Sequence, residues 1–243
     1  MQRPYAVFDI DGTLIRWQLY HALADKLVKL GAIESSEYRQ VLQARRNWKS
    51  RRESNSFSQY EDAMIDLVDC SLAGMDYLLF KDACLAVFER YQDQVYTFTR
   101  DLIIELRKQN YLIFALSGSP ADIVELVAKY YNFDDYAGSS YFVQDGLLNG
   151  KITPLLGSAK PKRLIELIKK HDAATSGSIA VGDTASDIGM LEFVERAIAF
   201  NPEQELFNKA QTSEWEIVVE RKNMVYHLNY NHGSYELAAT TAR

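Results

Sequence analysis

The sequence predicts an α/β fold: an open, largely parallel sheet interrupted by a helical insertion. Short apolar, β-rich runs end in carboxylates or hydroxyls, and amphipathic helical stretches follow those runs. Between Leu14 and about Tyr91 the chain has no proline and few glycines, as a helical segment requires. With 243 residues, 47% of them apolar, the chain has material for a core of roughly 160 residues and a smaller second domain.

The first strand is the run Tyr5-Ala-Val-Phe8, which leads into Asp9-Ile-Asp-Gly-Thr13. Residues two apart on an extended backbone share a face, so Asp9 and Asp11 emerge together where the strand meets its loop. Gly12 then lets the chain turn away. Two carboxylates held this close either share a proton or bind a cation. The same string also describes a plain turn or a calcium loop. A calcium loop counted from Asp9 needs glycine at its sixth position and glutamate at its twelfth, and these are Leu14 and Tyr20.

The insertion carries helical stripes such as Tyr20, Leu23, Ala24 and Leu27. The expected division is a core of residues 1–14 and 92–243 and a helical domain of residues 15–91. Arg45-Arg-Asn-Trp-Lys-Ser-Arg-Arg52 holds five cations in eight residues and reads as a solvated helix face, with substrate recruitment and then nucleic-acid contact as the alternatives. Cys70 and Cys84 lie fourteen apart with no ligand partner nearby, so they read as thiols rather than a zinc site. His21, His171, His227 and His232 are scattered and join no ligand set.

The second buried strand, Tyr111–Leu116, ends in Ser117-Gly-Ser-Pro120, with Pro120 placed to open a helix over residues 121–131. Hydroxyls and backbone N–H groups at a strand end and helix start either cap the helix or seat an anion. Residues 141–152 read as a hairpin around Asp145-Gly146, a small antiparallel addition to the core. Lys160 begins an amphipathic helix with Leu164, Leu167 and Ile168 on one stripe. The run Ser178–Gly182 forms a third short strand, followed directly by Asp183-Thr-Ala-Ser-Asp187. The stretches 215–219 and 224–228 read as a last hairpin around residues 220–223. Parallel α/β sheets bind ligands at the carboxyl ends of their strands, and the acids and hydroxyls fall at that edge.

Four of these stretches, in order, resemble the motifs of the haloacid dehalogenase-like (HAD) superfamily. They are Asp9-Ile-Asp-Gly-Thr13, Leu116-Ser117-Gly118, Lys160 within Gly157–Arg163, and Gly182-Asp-Thr-Ala-Ser-Asp-Ile188. Within it the chain resembles the phosphoserine-phosphatase-like subfamily IB, whose Rossmann-like core carries a helical C1 cap for substrate specificity. The resemblance implies Asp9 as nucleophile, forming an aspartyl-phosphate, and Asp11 as general acid and base. It implies that Mg2+ is held by Asp9, the Asp11 carbonyl and Asp183, that Ser117, Gly118 and Lys160 hold the phosphoryl group, and that Asp187 supports Lys160 or a metal-bound water. The second aspartate favours phosphomonoester hydrolysis over dehalogenation. Phosphoserine phosphatases of this branch carry a glutamate nine residues after the nucleophile, where this chain has Gln18. Trp17 and Gln18 are therefore expected to select a different, bulkier or more anionic phosphomonoester.

The expected ligand is a small phosphorylated metabolite. With 27 Lys and Arg against 33 Asp and Glu, the net charge is −6, which argues against a nucleic-acid partner. No apolar run approaches membrane-spanning length and no signal-like stretch precedes the first strand, so a cytoplasmic monomer or homodimer is expected. The competing readings are a non-catalytic or regulatory binding protein on the same fold and a phosphotransferase or mutase.

Overall fold

The structure is a computed structural model that describes residues 2–51, 53 and 56–242. In chain order its elements are β1 (Pro4–Phe8), α1 (Leu19–Lys29), α2 (Ser35–Ser50), α3 (Ser56–Leu72), α4 (Tyr77–Tyr91), α5 (Thr97–Lys108), β2 (Leu112–Pro120) and α6 (Ala121–Tyr130). There follow β3 (Asp135–Gln144), β4 (Leu147–Thr153), α7 (Ala159–His171), β5 (Ala174–Gly182), a 3-10 turn (Ala185–Asp187), α8 (Ile188–Leu191), β6 (Arg196–Phe200), α9 (Gln204–Ser213), β7 (Glu216–Arg221), β8 (Met224–Asn231) and β9 (Ser234–Ala242). The chain divides into two compact units. A core unit comprises Met1–Gln18, Tyr91–Ser139 and Pro154–Arg243, and a helical unit comprises Leu19–Arg90 and Ser140–Thr153.

In the core unit the strands run β3-β2-β1-β5-β6-β7-β8-β9, parallel from β3 to β7 and antiparallel thereafter. The first three strands step outward in one direction from β1, and β5 returns to its other side. That reversal leaves a crevice at the carboxyl ends of β1 and β5, the place where doubly wound sheets bind ligands. The alternation of side chains along the strands sets one layer of the core. Tyr5 and Val7 of β1, with Phe114 and Leu116 of β2, are buried against Leu164 and Leu167 of α7. The Tyr5 and Phe114 rings stack at 5.9 Å. Across the tail, Glu220 of β7 accepts hydrogen bonds from the N–H groups of Thr97 (3.1 Å) and Phe98 (2.8 Å), supplying the cap and negative charge that the N-terminus of α5 needs.

The hairpin around Asp145-Gly146 forms, but its second half departs from the sequence expectation. Residues 140–153 group with the helical unit rather than the core, because backbone bonds tie them to the turn between α3 and α4. Gly74 N–H donates to Leu148 O (2.8 Å), Leu148 N–H to Met75 O (2.9 Å) and Tyr77 N–H to Gly146 O (3.0 Å). The units divide after Gln18 and after Arg90, where the sequence reading placed the breaks after 14 and 91. The tail also has a third strand, β9, beyond the expected hairpin.

The basic run of residues 45–52 is not a uniformly solvated face. Arg52 lies outside the described residues. Arg45 is largely buried and binds Asp25 of α1 through both terminal nitrogens (2.9 and 3.1 Å), while its Nε donates to the Tyr60 hydroxyl (2.8 Å). Tyr38 also donates to Asp25, and the Trp48 and Tyr60 rings stack at 5.4 Å. One guanidinium thereby links α1, α2 and α3, since its planar fork can satisfy several acceptors at once. His21 packs edge-on against Tyr60 at 4.7 Å, and burial, reinforced by Arg45, pushes its pKa down to about 4.

Two outcomes follow for the helical unit. Arg45→Met is expected to lower its stability by ~2 kcal/mol in urea unfolding, the cost of leaving the Asp25 carboxylate without its charged donor. A change below ~0.5 kcal/mol would show the cluster to be incidental. His21 binds its proton more readily when unfolded, so folding stability is fully present above about pH 6.5 and falls as the pH drops toward 4. His21→Phe should remove up to ~3 kcal/mol of that acid sensitivity in unfolding curves at pH 7 and pH 4.

Candidate active site

The site is assembled from four loops of the core unit. Asp9 follows β1 directly, and its N–H donates to Val181 O of β5 at 3.0 Å, so the strand pairing itself fixes where the first carboxylate begins. Lys160, in the first turn of α7, is 1% exposed and donates to Asp9 Oδ1 at 2.7 Å and to Asp187 Oδ1 at 2.6 Å. Asp187 is fully buried, and its Oδ2 accepts the N–H groups of Asp183 and Thr184, each at 3.1 Å. Together with the Thr184 side chain these bonds form a capping box. Asp187 thus holds both the lysine and the loop that carries Asp183.

Ser117, at the end of β2, donates from Oγ to Asp11 Oδ2 at 2.7 Å and accepts the Ser119 N–H at 3.0 Å. Thr13 donates from Oγ1 to Asp183 Oδ1 at 3.0 Å. Carboxylate oxygens of Asp9, Asp183 and Asp187 lie within 4.8 Å of one another.

Glycines at two points, Gly12 and Gly182, make the convergence sterically possible. A Cβ on Gly12, whose φ is +81°, would stand 2.1 Å from Asp183 Oδ2. One on Gly182 would meet the Asp187 side chain at 2.4 Å, and one on Gly118 would meet Leu156 Cδ2 at 2.5 Å.

The electrostatics follow from charge count. Lys160 bonds Asp9 and Asp187, and Asp183 and Asp11 add two more carboxylates beside them. Burial pushes the Asp9 pKa up to about 8; Lys160 opposes the rise, while Asp187 and Asp11 reinforce it. Asp183 is raised by burial and then by Asp9 and Asp187. For Lys160, burial acts to lower the pKa but Asp187 and Asp9 outweigh it, so the ammonium form is secure. The donor set fits a hard divalent cation. It is all oxygen, it carries excess negative charge, and Asp9 and Asp183 each commit one carboxylate oxygen to Lys160 or Thr13 and have a second to offer.

The structure therefore brings Asp9, Asp11, Ser117, Lys160, Asp183 and Asp187 together, with Gly118 between the two serines of the β2 loop. Trp17 and Gln18 occupy the last two positions of the first core segment. The Trp17 indole stacks on Tyr91 at 6.5 Å, and its Nε1 is buried without a hydrogen-bond partner. Thr13 is the contributor that sequence reasoning missed. Thr13 lies past the turn at Gly12, so strand alternation does not place it, and its bond to Asp183 forms only in the fold. Lys160→Met leaves Asp187 buried without its cation and is expected to cost ~3 kcal/mol or more in urea unfolding with chelator present. A loss under ~1 kcal/mol would mean that the ammonium does not hold the cluster together.

Comparison with known proteins gives the family of the chain. The family of haloacid dehalogenase-like hydrolases matches residues 6–192. The phosphoserine phosphatase SerB2 of Mycobacterium tuberculosis is 25% identical over 209 residues, covering 85% of this chain and 46% of the relative. A phosphoserine phosphatase of Streptomyces coelicolor is 24% identical over 211 residues, again 85% of this chain and 46% of its own. The chain thus spans about half the length of these two curated relatives. Among solved structures, a Bordetella pertussis protein of unknown function superposes with a TM-score of 0.68 at 20% identity, covering 89% of this chain and 98% of its own. A phosphoserine phosphatase captured as a phospho-aspartyl intermediate analogue superposes at 0.64 and 20% identity, with 91% and 95% covered. The chain belongs to the haloacid dehalogenase-like hydrolases.

Proposed function

We propose that this chain is a Mg2+-dependent phosphomonoester hydrolase that works through an aspartyl-phosphate on Asp9. The observation that carries the reading is the pairing of a buried, lysine-bound Asp9 with a second carboxylate two residues on, beside Asp183. Asp9 Oδ2, Asp183 and the backbone carbonyl of Asp11 would hold the metal. When bound, Mg2+ offsets the repulsion between Asp9 and an anionic substrate and stabilises charge on the phosphoryl oxygens.

In the first step an Asp9 oxygen forms a bond to phosphorus as the ester P–O bond breaks, and Asp11 gives its proton to the departing oxygen. In the second step Asp11 takes a proton from water, the water oxygen bonds to phosphorus, and the acyl-phosphate P–O bond breaks to release phosphate and restore Asp9. Lys160 has three N–H donors and spends two on Asp9 and Asp187, leaving one for a phosphoryl oxygen. The Ser117 hydroxyl donates to Asp11 here, so it takes up the phosphoryl group by exchanging that bond. The exchange also frees Asp11 for proton transfer.

Substrate selection we assign to the helical unit together with Trp17 and Gln18. The buried, unpartnered indole N–H is a donor in want of an acceptor. Gln18 offers an amide where a carboxylate would bind an ammonium, which favours a small phosphorylated metabolite other than phosphoserine. Arg45 is engaged by Asp25 and Tyr60 and is assigned no role in recruiting it.

Release of phosphate from p-nitrophenyl phosphate tests the reading. Activity should require Mg2+ and vanish with EDTA. Asp9→Asn should abolish turnover with the fold intact, and Asp11→Asn should slow it by about a hundred- to ten-thousand-fold. More than a tenth of the activity in Asp9→Asn, or full activity in EDTA, would refute it. A panel in which phosphoserine is the best substrate by tenfold would refute the proposed selectivity alone.

A further inference from the structure

The loop bearing Asp183 is held from two sides. From within, Asp187 accepts the N–H groups of residues 183 and 184. From outside, Glu203 holds the same loop by two bonds of opposite sense. Its Oε1 accepts the Ala185 N–H at 2.6 Å, and its own N–H donates to Asp183 O at 3.0 Å. Glu203 is also the N-cap residue of α9, with extended backbone (φ −68°, ψ 171°), and its carbonyl accepts the Phe207 N–H at 2.8 Å. The residue is therefore anchored at the start of a helix whose Leu206 and Ala210 are buried in the core.

Such a clamp has a specific physical consequence. The Asp183 carboxylate projects from a loop of irregular backbone, and Thr13 restrains only one of its two oxygens. The backbone bonds on either side of that side chain decide where the other oxygen rests. A charge-assisted bond as short as 2.6 Å is among the stronger restraints a loop can have. We infer that Glu203 is a positioning residue, fixing the Asp183 loop in the form that accepts a divalent cation. This deepens the proposed metal-dependent reading and rests on it. The bonds of Glu203 go to backbone groups of the loop and of α9, so its removal should loosen the metal far more than it slows the reaction once metal is saturating.

The test is Mn2+ titration followed by electron paramagnetic resonance of the free ion, with p-nitrophenyl phosphate kinetics alongside. Three substitutions separate the roles. Glu203→Ala removes the acceptor. Glu203→Asp keeps the charge at the start of α9 but draws the carboxylate back from Ala185. Glu203→Gln keeps an oxygen at full reach. Ala and Asp should each weaken Mn2+ binding about tenfold, the loss of one charge-assisted bond, while Gln stays within about threefold. At saturating Mn2+, kcat should remain within about threefold of the parent for all three, with KM for the ester unchanged. If Glu203→Ala does not fold, Glu203→Asp against Glu203→Gln decides the question. Parent-like Mn2+ binding in the shortened variant, or Gln weakened as much as Asp, overturns the inference. A parent that binds no Mn2+ overturns both this and the metal-dependent reading, whereas a binding parent with unaltered variants overturns this one alone.

Discussion

A buried cluster of carboxylates with one ammonium, bonded to Asp9 and Asp187, is the constraint on which the rest of the site depends. Carboxylates at this separation repel strongly in a buried environment, and Lys160 can neutralise only part of the charge. Burying such an assembly is costly unless its polar atoms are satisfied, and at least one oxygen of each carboxylate is. Asp187 accepts from the lysine and two backbone groups, Asp11 from Ser117, and Asp183 from Thr13. The remaining excess of negative charge is what a divalent cation and a phosphoryl group would answer, in that order.

The fold delivers this arrangement through a simple topological fact. β1 lies at the centre of the parallel sheet with β2 on one side and β5 on the other, so residues far apart in sequence leave their strands at one edge. Pairing of Asp9 with Val181 sets the axial position of one acid relative to the β5 loop. Glycine then permits the last few ångströms. Gly12 and Gly182 stand where any side chain would overlap Asp183 or Asp187, so they are set by the carboxylates they admit and not by turn formation alone.

Much of this was legible in the sequence, and the reasons are local. A strand carries its own signature in apolar runs, and period-two spacing puts Asp9 and Asp11 on one side whatever the rest of the chain does. Helix-opening signals at Pro120 and the stripe after Lys160 are likewise near-neighbour patterns, and both helices form close to the expected positions. What escaped depends on partners distant in sequence. Arg45 looks solvated within its own charge run and is drawn inward only because Asp25 and Tyr60 meet it from other helices. The hairpin at 145–146 shows its turn, but its grouping with the helical unit is decided by backbone bonds to residues 74–77. Glu203 carries no local signal that marks it, and its grip on residue 185 exists only once β5 and β6 lie side by side.

The central claim is that the carboxylate at position 9, and no other in the cluster, accepts phosphorus. The most direct measurement is to quench the enzyme during turnover, reduce any acyl-phosphate with tritiated borohydride, and map the label by peptide mass spectrometry. The account predicts that residue 9 alone is recovered as homoserine, and only when substrate and Mg2+ are both present. Label at residue 183 or 187, or turnover with no carboxylate labelled, would contradict it.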